Sequence, residues 1–279
     1  MKSDVDAYLA LIRPVNCAIT FLSVTVGAGM ADDLFNPVRA LTAALSAALI
    51  AGGGNALNDA CDEATDRINR PYRPIPSGRV SRRASLRLAT ILFVVGGGLG
   101  LWLGALTACL ALIATCGLIA YDVFLKRAPV AGNVAVSGIS GLALVYGGAA
   151  AGRVSATLTP ALFAFLFHLG REILKDVEDV EGDMGAGLSS VAVRWGIRPA
   201  LGIATAVYLV LTLLTPVPFW KGLYNWRYLV LALCPVDLIL VYVIASMWRD
   251  RSRQNLLRLD GLLKADMVFG LLALWVGRV

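Results

Sequence analysis

Charged residues are scarce in this sequence. Of its 279 residues, only 16% are Asp, Glu, Lys or Arg, whereas 58% are hydrophobic. An ordinary soluble domain carries about 25% charged residues, so this composition argues against a soluble globular protein. Apolar runs of about 20 residues, the length that crosses a bilayer as a helix, fill most of the chain instead. The composition therefore predicts an integral membrane protein.

Cysteine and histidine are also too sparse for several kinds of site. The five cysteines are scattered without a C-x-x-C pair, and His168 is the single histidine. This pattern argues against a disulfide framework and against a zinc centre. No cleavable signal peptide is evident, and residues 1–13 form an amphipathic lead-in to the first apolar run.

Nine apolar segments are long enough to be membrane spans. They cover residues 14–32, 37–57, 84–103, 105–121, 131–151, 157–174, 198–216, 227–247 and 260–277. If they alternate across the bilayer with the N-terminus inside, 20 of the 25 basic residues fall on the cytoplasmic side. This asymmetry obeys the positive-inside rule, so the net charge of +6 reports topology rather than nucleic-acid binding. We therefore predict a multi-pass cell-membrane protein, surrounded by lipid, whose N-terminus and acidic loops are cytoplasmic.

The acidic residues are concentrated in two short windows. Ten of the 19 acidic residues lie in residues 58–66 and 172–183. Each window contains the spacing D-x-x-D-x-x-x-D. We call these the first aspartate motif (Asp59, Asp62 and Asp66) and the second aspartate motif (Asp176, Asp179 and Asp183). Equal spacing four spans apart suggests a duplicated unit. We expect an all-α, single-domain protein over residues 1–279, with nine transmembrane helices formed from two four-helix repeats around a central cavity.

The aspartate motifs are suited to divalent cations. On one helix, spacings of three, four and seven place the three side chains of a motif on one face. Carboxylates so close repel one another, and the C-terminal ends of the predicted helices also disfavour anions. All the available ligands are oxygens, including the amide oxygen of Asn58, which favours Mg²⁺ over zinc or copper. We predict that Asn58 and the six motif aspartates bind Mg²⁺.

Basic residues flank both motifs, as the binding of a phosphate-bearing substrate requires. Arg67 directly follows the first aspartate motif, and Arg73 lies in the basic run after it. Arg171 and Lys175 lie one turn apart beside the second motif, and Lys126 occupies the cytoplasmic loop between the motifs. We predict that these five residues bind a diphosphate. For any one of them, positive-inside topology is an alternative explanation.

The sequence resembles a known family at these positions. The run N-D-x-x-D-x-x-x-D (residues 58–66), followed by R-x-N-R-P-x-R-P-I-P-S-G, is similar to the first signature of the UbiA-type membrane prenyltransferases. Tyr121, Lys126, Asn133 and the second motif resemble other landmarks of that family. Within it, L-I-R-P-V-N (residues 11–16) and R-E-I-L-K-D-x-x-D-x-E-G-D (residues 171–183) are similar to the archaeal-type digeranylgeranylglyceryl phosphate synthases.

The resemblance implies a reaction and roles for individual residues. Two or more Mg²⁺ ions would bridge the motifs and a polyprenyl diphosphate while the allylic C–O bond breaks. In the archaeal lipid branch, a geranylgeranyl group passes to the hydroxyl of a prenylated glycerol phosphate, giving an ether-lipid precursor. The implied catalytic residues are Asp62, Asp66, Asp179, Asp183, Lys126 and Tyr121. The implied acceptor-binding residues are Arg13, Asn16, Asn133 and His168, although packing is an alternative role for His168.

Other functions remain open at this point. The acceptor in the same family can instead be an aromatic acid such as 4-hydroxybenzoate, or another quinone or chlorin precursor. A transporter would carry its acidic residues near mid-membrane rather than at a rim beside basic loops. A CDP-alcohol phosphotransferase would need a D-G-x-x-A-R run, which this sequence lacks.

Overall fold

The computed structural model describes residues 4–31 and 36–278. These residues are almost entirely helical, and a single isolated bridge among them pairs Tyr224 with Arg278. The first eight α-helices are α1 (Asp4–Ile12), α2 (Pro14–Ala31), α3 (Pro37–Cys61), α4 (Glu63–Asn69), α5 (Arg82–Leu103), α6 (Ala105–Val123), α7 (Ala131–Ala150) and α8 (Leu158–Glu178). Short 3₁₀ turns at Leu125–Arg127 and Val154–Thr157 flank α7.

The second half of the chain continues in the same way. Its helices are α9 (Val180–Gly185), α10 (Val191–Trp195), α11 (Ile197–Leu214), α12 (Val217–Trp220), α13 (Trp226–Leu231), α14 (Leu238–Arg249) and α15 (Arg253–Gly277). A π-helical turn, Ala232–Asp237, joins α13 to α14 and contains Pro235. Proline removes a backbone donor and so displaces the regular helical hydrogen bonds there.

Among the described residues, seven segments are long and apolar enough to cross a membrane, and each overlaps a predicted span. These segments are α2, α3, α5, α6, α7, α11 with α12, and α13 through α14. Residue 32, the predicted end of the first span, lies outside the described residues. The other two predicted spans fall in α8 and α15, which have 21 and 25 residues. Both helices carry charged side chains that line the interior, as Arg171 and Asp260 do.

The junction between α1 and α2 is strained. Arg13 has φ of +51°, a left-handed conformation that non-glycine residues rarely adopt. The following Pro14 disfavours a right-handed helical conformation at Arg13. Pro14 itself opens α2, where its missing N–H leaves no helical hydrogen bond unmade. The chain therefore turns sharply at Arg13, whose side chain reaches the first aspartate motif, as described below.

Glycine allows α2 and α7 to pack backbone against backbone. A Cβ atom on Gly27 would lie 2.3 Å from the backbone oxygen of Leu144, and one on Gly147 would lie 2.1 Å from that of Val24. Small residues permit such close approach between helices in lipid, where packing rather than the hydrophobic effect holds helices together. This contact fixes one wall of the interior.

Six helices, α2, α3, α6, α7, α8 and α15, surround a cavity of about 440 Å³. Apolar side chains such as Ile50, Leu118 and Ile139 line much of it. Polar and charged residues line one end, including Arg73 and Glu178, which adjoin the aspartate motifs. We call this space the main cavity. Its composition suits an amphiphile with a charged head and an apolar chain.

Candidate active site

The two aspartate motifs occupy equivalent breaks between a long helix and a short one. Asp62 separates α3 from α4 with φ −90° and ψ 10°, and Asp179 separates α8 from α9 with φ −95° and ψ 4°. The following turns also match, because the N–H of Asp66 donates to the Asp62 carbonyl at 2.8 Å and that of Asp183 to Asp179 at 2.9 Å. The motifs therefore share local structure as well as spacing.

These breaks modify the expectation that each motif lies on one continuous helix. The first aspartate of each motif ends a long helix, the second lies at the break, and the third lies in the first turn of the short helix. The expected crowding at a helix C-terminus therefore applies to Asp59 and Asp176. For Asp66 and Asp183, the local helix dipole instead favours an anion.

Arg70 joins the two motifs. Its guanidinium lies 2.8 Å from a carboxylate oxygen of Asp179, 3.7 Å from Asp66, and also pairs with Glu178. Burial alone would lower the pKa of Arg70, but the Asp179 and Glu178 carboxylates raise it above its ordinary value. Arg70 therefore stays charged and holds the two motifs at the same end of the main cavity.

A second contact between the motifs depends on Gly182. The Asn69 amide donates to the carboxylate of Asp179 at 3.2 Å. The same amide packs on Gly182, where a Cβ atom would lie 2.2 Å from its nitrogen. A larger residue at position 182 would displace the Asn69 amide from this position. Glycine therefore makes room for the Asn69–Asp179 contact.

Besides Arg70, three cations neutralise the first aspartate motif. Arg73 contacts Asp66 at 2.7 Å and Asp59 at 3.3 Å. Arg13 pairs with Asp59 and donates to the Asn58 amide oxygen, and Lys126 pairs with Asp62. These contacts come from three separate segments of the chain: the α1–α2 junction, the loop after α4 and the turn after α6.

Burial sets the protonation behaviour of these groups. Burial raises the pKa of Asp66, and the attraction of Arg73 offsets this only in part. Burial would lower the pKa of Lys126, but the Asp62 carboxylate reverses this and raises it. Burial likewise raises the pKa of Asp183. Lys126 is therefore cationic at neutral pH, while Asp66 and Asp183 bind protons more readily than ordinary aspartates.

The second aspartate motif has fewer cationic partners. Asp176 accepts hydrogen bonds from the Asn133 amide at 3.1 Å and from the Val191 backbone N–H at 3.2 Å. Asp179 is paired with Arg70. Asn133, predicted from the resemblance to bind the acceptor, thus orients a motif carboxylate instead of lining the main cavity.

The oxygen-rich groups fit a hard divalent cation in kind and charge. Six motif aspartates face four cationic side chains, those of Arg13, Arg70, Arg73 and Lys126. An excess of carboxylate therefore remains, and carboxylate and amide oxygens are the ligands that Mg²⁺ accepts. Among the described residues, no three acidic, His or Cys side chains already converge as a complete metal site. Arginine and lysine side chains hold the carboxylates instead.

Another group of charged residues lies deeper along α8 and α15. Arg171 contacts Glu172 at 3.0 Å and Asp260 at 2.7 Å, Lys175 contacts Glu172 at 2.9 Å, and Lys264 contacts Asp260 at 2.7 Å. All five residues line the main cavity. We call them the α8–α15 cluster. The predicted phosphate-binding residues Arg171 and Lys175 belong to this cluster.

The remaining predicted site residues divide between the cavity and the surface. Asn16, Tyr121 and His168 line the main cavity, and the Lys126 ammonium lies 5.9 Å from the centre of the Tyr121 ring. Arg67 is different: its side chain is 67% exposed and pairs with Glu63 at 2.7 Å. It is not among the residues that line the main cavity.

Sequence reasoning did not assign several residues of the site. These are Arg70, Asp122, Glu178, Asp260 and Lys264. Arg70 lies in the basic run after the first motif, and Glu178 immediately precedes Asp179. The spacing of four between Asp260 and Lys264 predicts a helical ion pair. Nothing in the local sequence, however, indicates that α15 packs beside α8.

Comparisons with known proteins agree with this architecture. The model of the UbiA prenyltransferase family matches residues 20–264. The digeranylgeranylglyceryl phosphate synthase of Methanopyrus kandleri is 40% identical over 270 residues, covering 96% of this chain and 97% of that protein. The corresponding protein of Halobacterium salinarum is 38% identical over 257 residues, covering 91% and 93%.

Solved structures give the same result for the fold. A structure described as a digeranylgeranylglyceryl phosphate synthase in membranes aligns with a TM-score of 0.75 and 29% identity, over 98% of both chains. A UbiA homologue from Archaeoglobus fulgidus bound to GPP and Mg²⁺ aligns with a TM-score of 0.72 and 20% identity, over 96% of this chain and 99% of that one. This chain belongs to the UbiA prenyltransferase family.

Proposed function

We propose that the protein transfers a geranylgeranyl group from its diphosphate to the hydroxyl of a prenylated glycerol phosphate, with Mg²⁺ as cofactor. The product is an ether-lipid precursor. The observation that carries the proposal is the meeting of two aspartate motifs, through Arg70, at one end of a largely apolar cavity. The relatives at 38% and 40% identity are digeranylgeranylglyceryl phosphate synthases, which supports this acceptor.

The metal-binding residues of the proposal are the six motif aspartates and Asn58, which together hold two or more Mg²⁺ ions. Bound Mg²⁺ neutralises the diphosphate and makes it a better leaving group. A Mg²⁺-bound relative with the same fold supports the choice of ion. The Asn58 oxygen accepts a hydrogen bond from Arg13, and its second lone pair remains for an ion.

The cations of the site bind and orient the donor. Lys126 and Arg73 each hold a motif carboxylate, so both are positioned to contact diphosphate oxygens bound there. Negative charge grows on the leaving diphosphate as the C–O bond breaks, and fixed cations stabilise that charge. We leave Arg67 out of the proposed site because it is exposed and paired with Glu63. Tyr121, on the cavity wall beside Lys126, faces the reacting region.

The proposed topology has nine spans in one domain. A helix of 21 residues such as α8 is about 31 Å long, and α15 is longer, so both match a hydrocarbon core of about 30 Å. The five charged residues of the α8–α15 cluster line the cavity, as charged groups within a span are expected to do. The positive-inside asymmetry puts the N-terminus and the motifs on the cytoplasmic side. The matching breaks at Asp62 and Asp179 support descent from two four-helix repeats.

One assay tests the acceptor. Purified protein in lipid nanodiscs receives Mg²⁺ and labelled geranylgeranyl diphosphate, with either geranylgeranylglyceryl phosphate or 4-hydroxybenzoate. We expect transfer to the glycerol phosphate lipid, and no transfer when EDTA removes Mg²⁺. Transfer to the aromatic acid alone would refute the acceptor and leave the prenyltransferase activity intact.

A further inference from the structure

The main cavity contains two polar regions of opposite charge balance. The aspartate motifs contribute more carboxylates than cations, as counted above. The α8–α15 cluster has the reverse balance, with Arg171, Lys175 and Lys264 against Glu172 and Asp260. A metal-bound diphosphate matches the first region. An anion that brings no metal would be repelled there and attracted to the cluster.

The two lysines of the cluster remain accessible from the cavity. The side chains of Lys175 and Lys264 are 31% and 32% exposed, whereas that of Arg171 is 10% exposed. Each ammonium has three hydrogen-bond donors, so its carboxylate contact leaves donors for a ligand. Arg171, held between Glu172 and Asp260, fixes the position of both carboxylates and hence of both lysines.

A narrow apolar branch leaves the main cavity beside this cluster. It has a volume of about 100 Å³ and shares Ile19, Ser23, Ser140, His168 and Met267 with the main cavity. Further along, its walls are mostly apolar, as at Phe163, Leu271 and Leu274, and they also include the buried Asp266. On α15, Asp260, Lys264, Met267, Leu271 and Leu274 follow at helical spacing, so one helix face passes from charged to apolar.

We infer that the α8–α15 cluster is the phosphate subsite of the acceptor lipid, and that the apolar branch receives part of its prenyl chain. This inference rests on the proposed function and specifies where its acceptor binds. Lys175 and Lys264 contact the phosphate. Lys175 precedes Asp179 by one helical turn, roughly 6 Å of rise, which leaves the glycerol hydroxyl within reach of the donor at the motifs.

The phosphate subsite is tested with two acceptors that differ in one group, geranylgeranylglyceryl phosphate and geranylgeranylglycerol. The variants are Lys175→Gln, Lys264→Gln and the charge-conserving Lys264→Arg. Arg258→Gln is the matched control, because Arg258 is exposed on the same helix and does not line the cavity. Thermal unfolding of each variant confirms that it is folded.

We expect each glutamine variant to raise KM for the phosphorylated acceptor at least tenfold and to lose most of the preference for it over the unphosphorylated one. KM for geranylgeranyl diphosphate should change less than twofold, and Lys264→Arg should retain most of the preference. An unchanged acceptor KM in both glutamine variants, or an equal rise in donor KM, would overturn the inference. A wild-type protein that uses neither glycerol lipid would refute the proposed function itself.

The apolar branch is tested separately on α15. A side chain at Gly270 would enter the branch, where a Cβ atom meets no other atom within 4 Å. Gly261 is equally unobstructed but exposed on the outer face, so Gly261→Leu is the control. We expect Gly270→Leu to raise KM for an acceptor with a C20 chain at least fivefold, and less for a C10 chain. Equal effects on both chain lengths, or none, would place the acceptor chain elsewhere.

Discussion

Removal of the Arg70 guanidinium should lower the stability of the folded protein, because Arg70 joins the two aspartate motifs. The Arg70 side chain is only 11% exposed and is shared among Asp66, Glu178 and Asp179. Arg70→Ala leaves these carboxylates close together without their common cation. Breaking a buried ion pair from one side costs about 3–5 kcal/mol. We expect about 3 kcal/mol of lost stability, the lower limit, because Arg73 still pairs with Asp66.

Mg²⁺ should offset this loss. If the divalent cation binds between the motifs, it supplies the positive charge that Arg70→Ala removes. An ion that binds the folded state at 100 times its Kd stabilises it by about 2.7 kcal/mol. The stabilisation by Mg²⁺ should therefore be larger in the variant than in the wild type, because the ion also relieves the repulsion among the carboxylates that have lost Arg70.

The assay is thermal unfolding of purified protein in detergent, with EDTA and with saturating Mg²⁺. Arg67→Ala is a matched control three residues away, because Arg67 is largely exposed and forms a surface pair with Glu63. Such a pair contributes about 0–1 kcal/mol. If Arg70→Ala and Arg67→Ala melt at the same temperature, or if Mg²⁺ stabilises both equally, the bridging role of Arg70 is refuted.

Three further outcomes follow from the same geometry. Asp62→Asn and Asp179→Asn keep the side-chain volume but remove a charged ligand, so turnover should fall at least ~100-fold. Membrane insertion, measured by cell fractionation, should stay normal. Near-wild-type rates in both variants would contradict the metal site. Gly182→Ala places a methyl group against the neighbouring asparagine amide and should lower Mg²⁺ affinity in calorimetry, and an unchanged affinity would exclude a tight junction. Because burial raises the pKa of Asp66 and Asp183, protons should compete with Mg²⁺ at higher pH than for ordinary aspartates; affinity that stays constant from neutral pH down to about pH 5 would contradict this.

Much of the fold is predictable from hydrophobic length alone. Seven predicted spans coincide with apolar helices because about 20 apolar residues can satisfy their backbone hydrogen bonds in lipid only as a helix. The local irregularities are not predictable in this way. The breaks at Asp62 and Asp179 depend on tertiary packing more than on local propensity, whereas Pro235 is the local cause of the π-helical turn.

The sequence predicts the acidic residues of the site well and its basic residues less well. Equal spacing of the aspartates identifies both motifs, because close carboxylates are costly without a ligand. Basic residues are abundant in the loops, so a position close to a motif in the sequence does not identify the cations that contact it. Arg67 adjoins the first motif and is exposed, whereas Arg13 lies 46 residues before Asp59 and pairs with it. The place of Lys264 in the site cannot be predicted from the sequence either, since only the packing of α15 beside α8 brings it to the cavity.

The two motifs share backbone geometry but differ in charge compensation. Besides Arg70, three cations hold the first motif, whereas Asp176 in the second receives only the neutral Asn133 and Val191 donors. Identical spacing therefore does not produce identical sites. The difference arises in the segments that follow each motif: the basic run after α4 supplies Arg70 and Arg73 to the interior, while the segment after α9 supplies a backbone N–H. The matching breaks account for the shape of the site, and the difference between these loops accounts for the unequal distribution of charge across it.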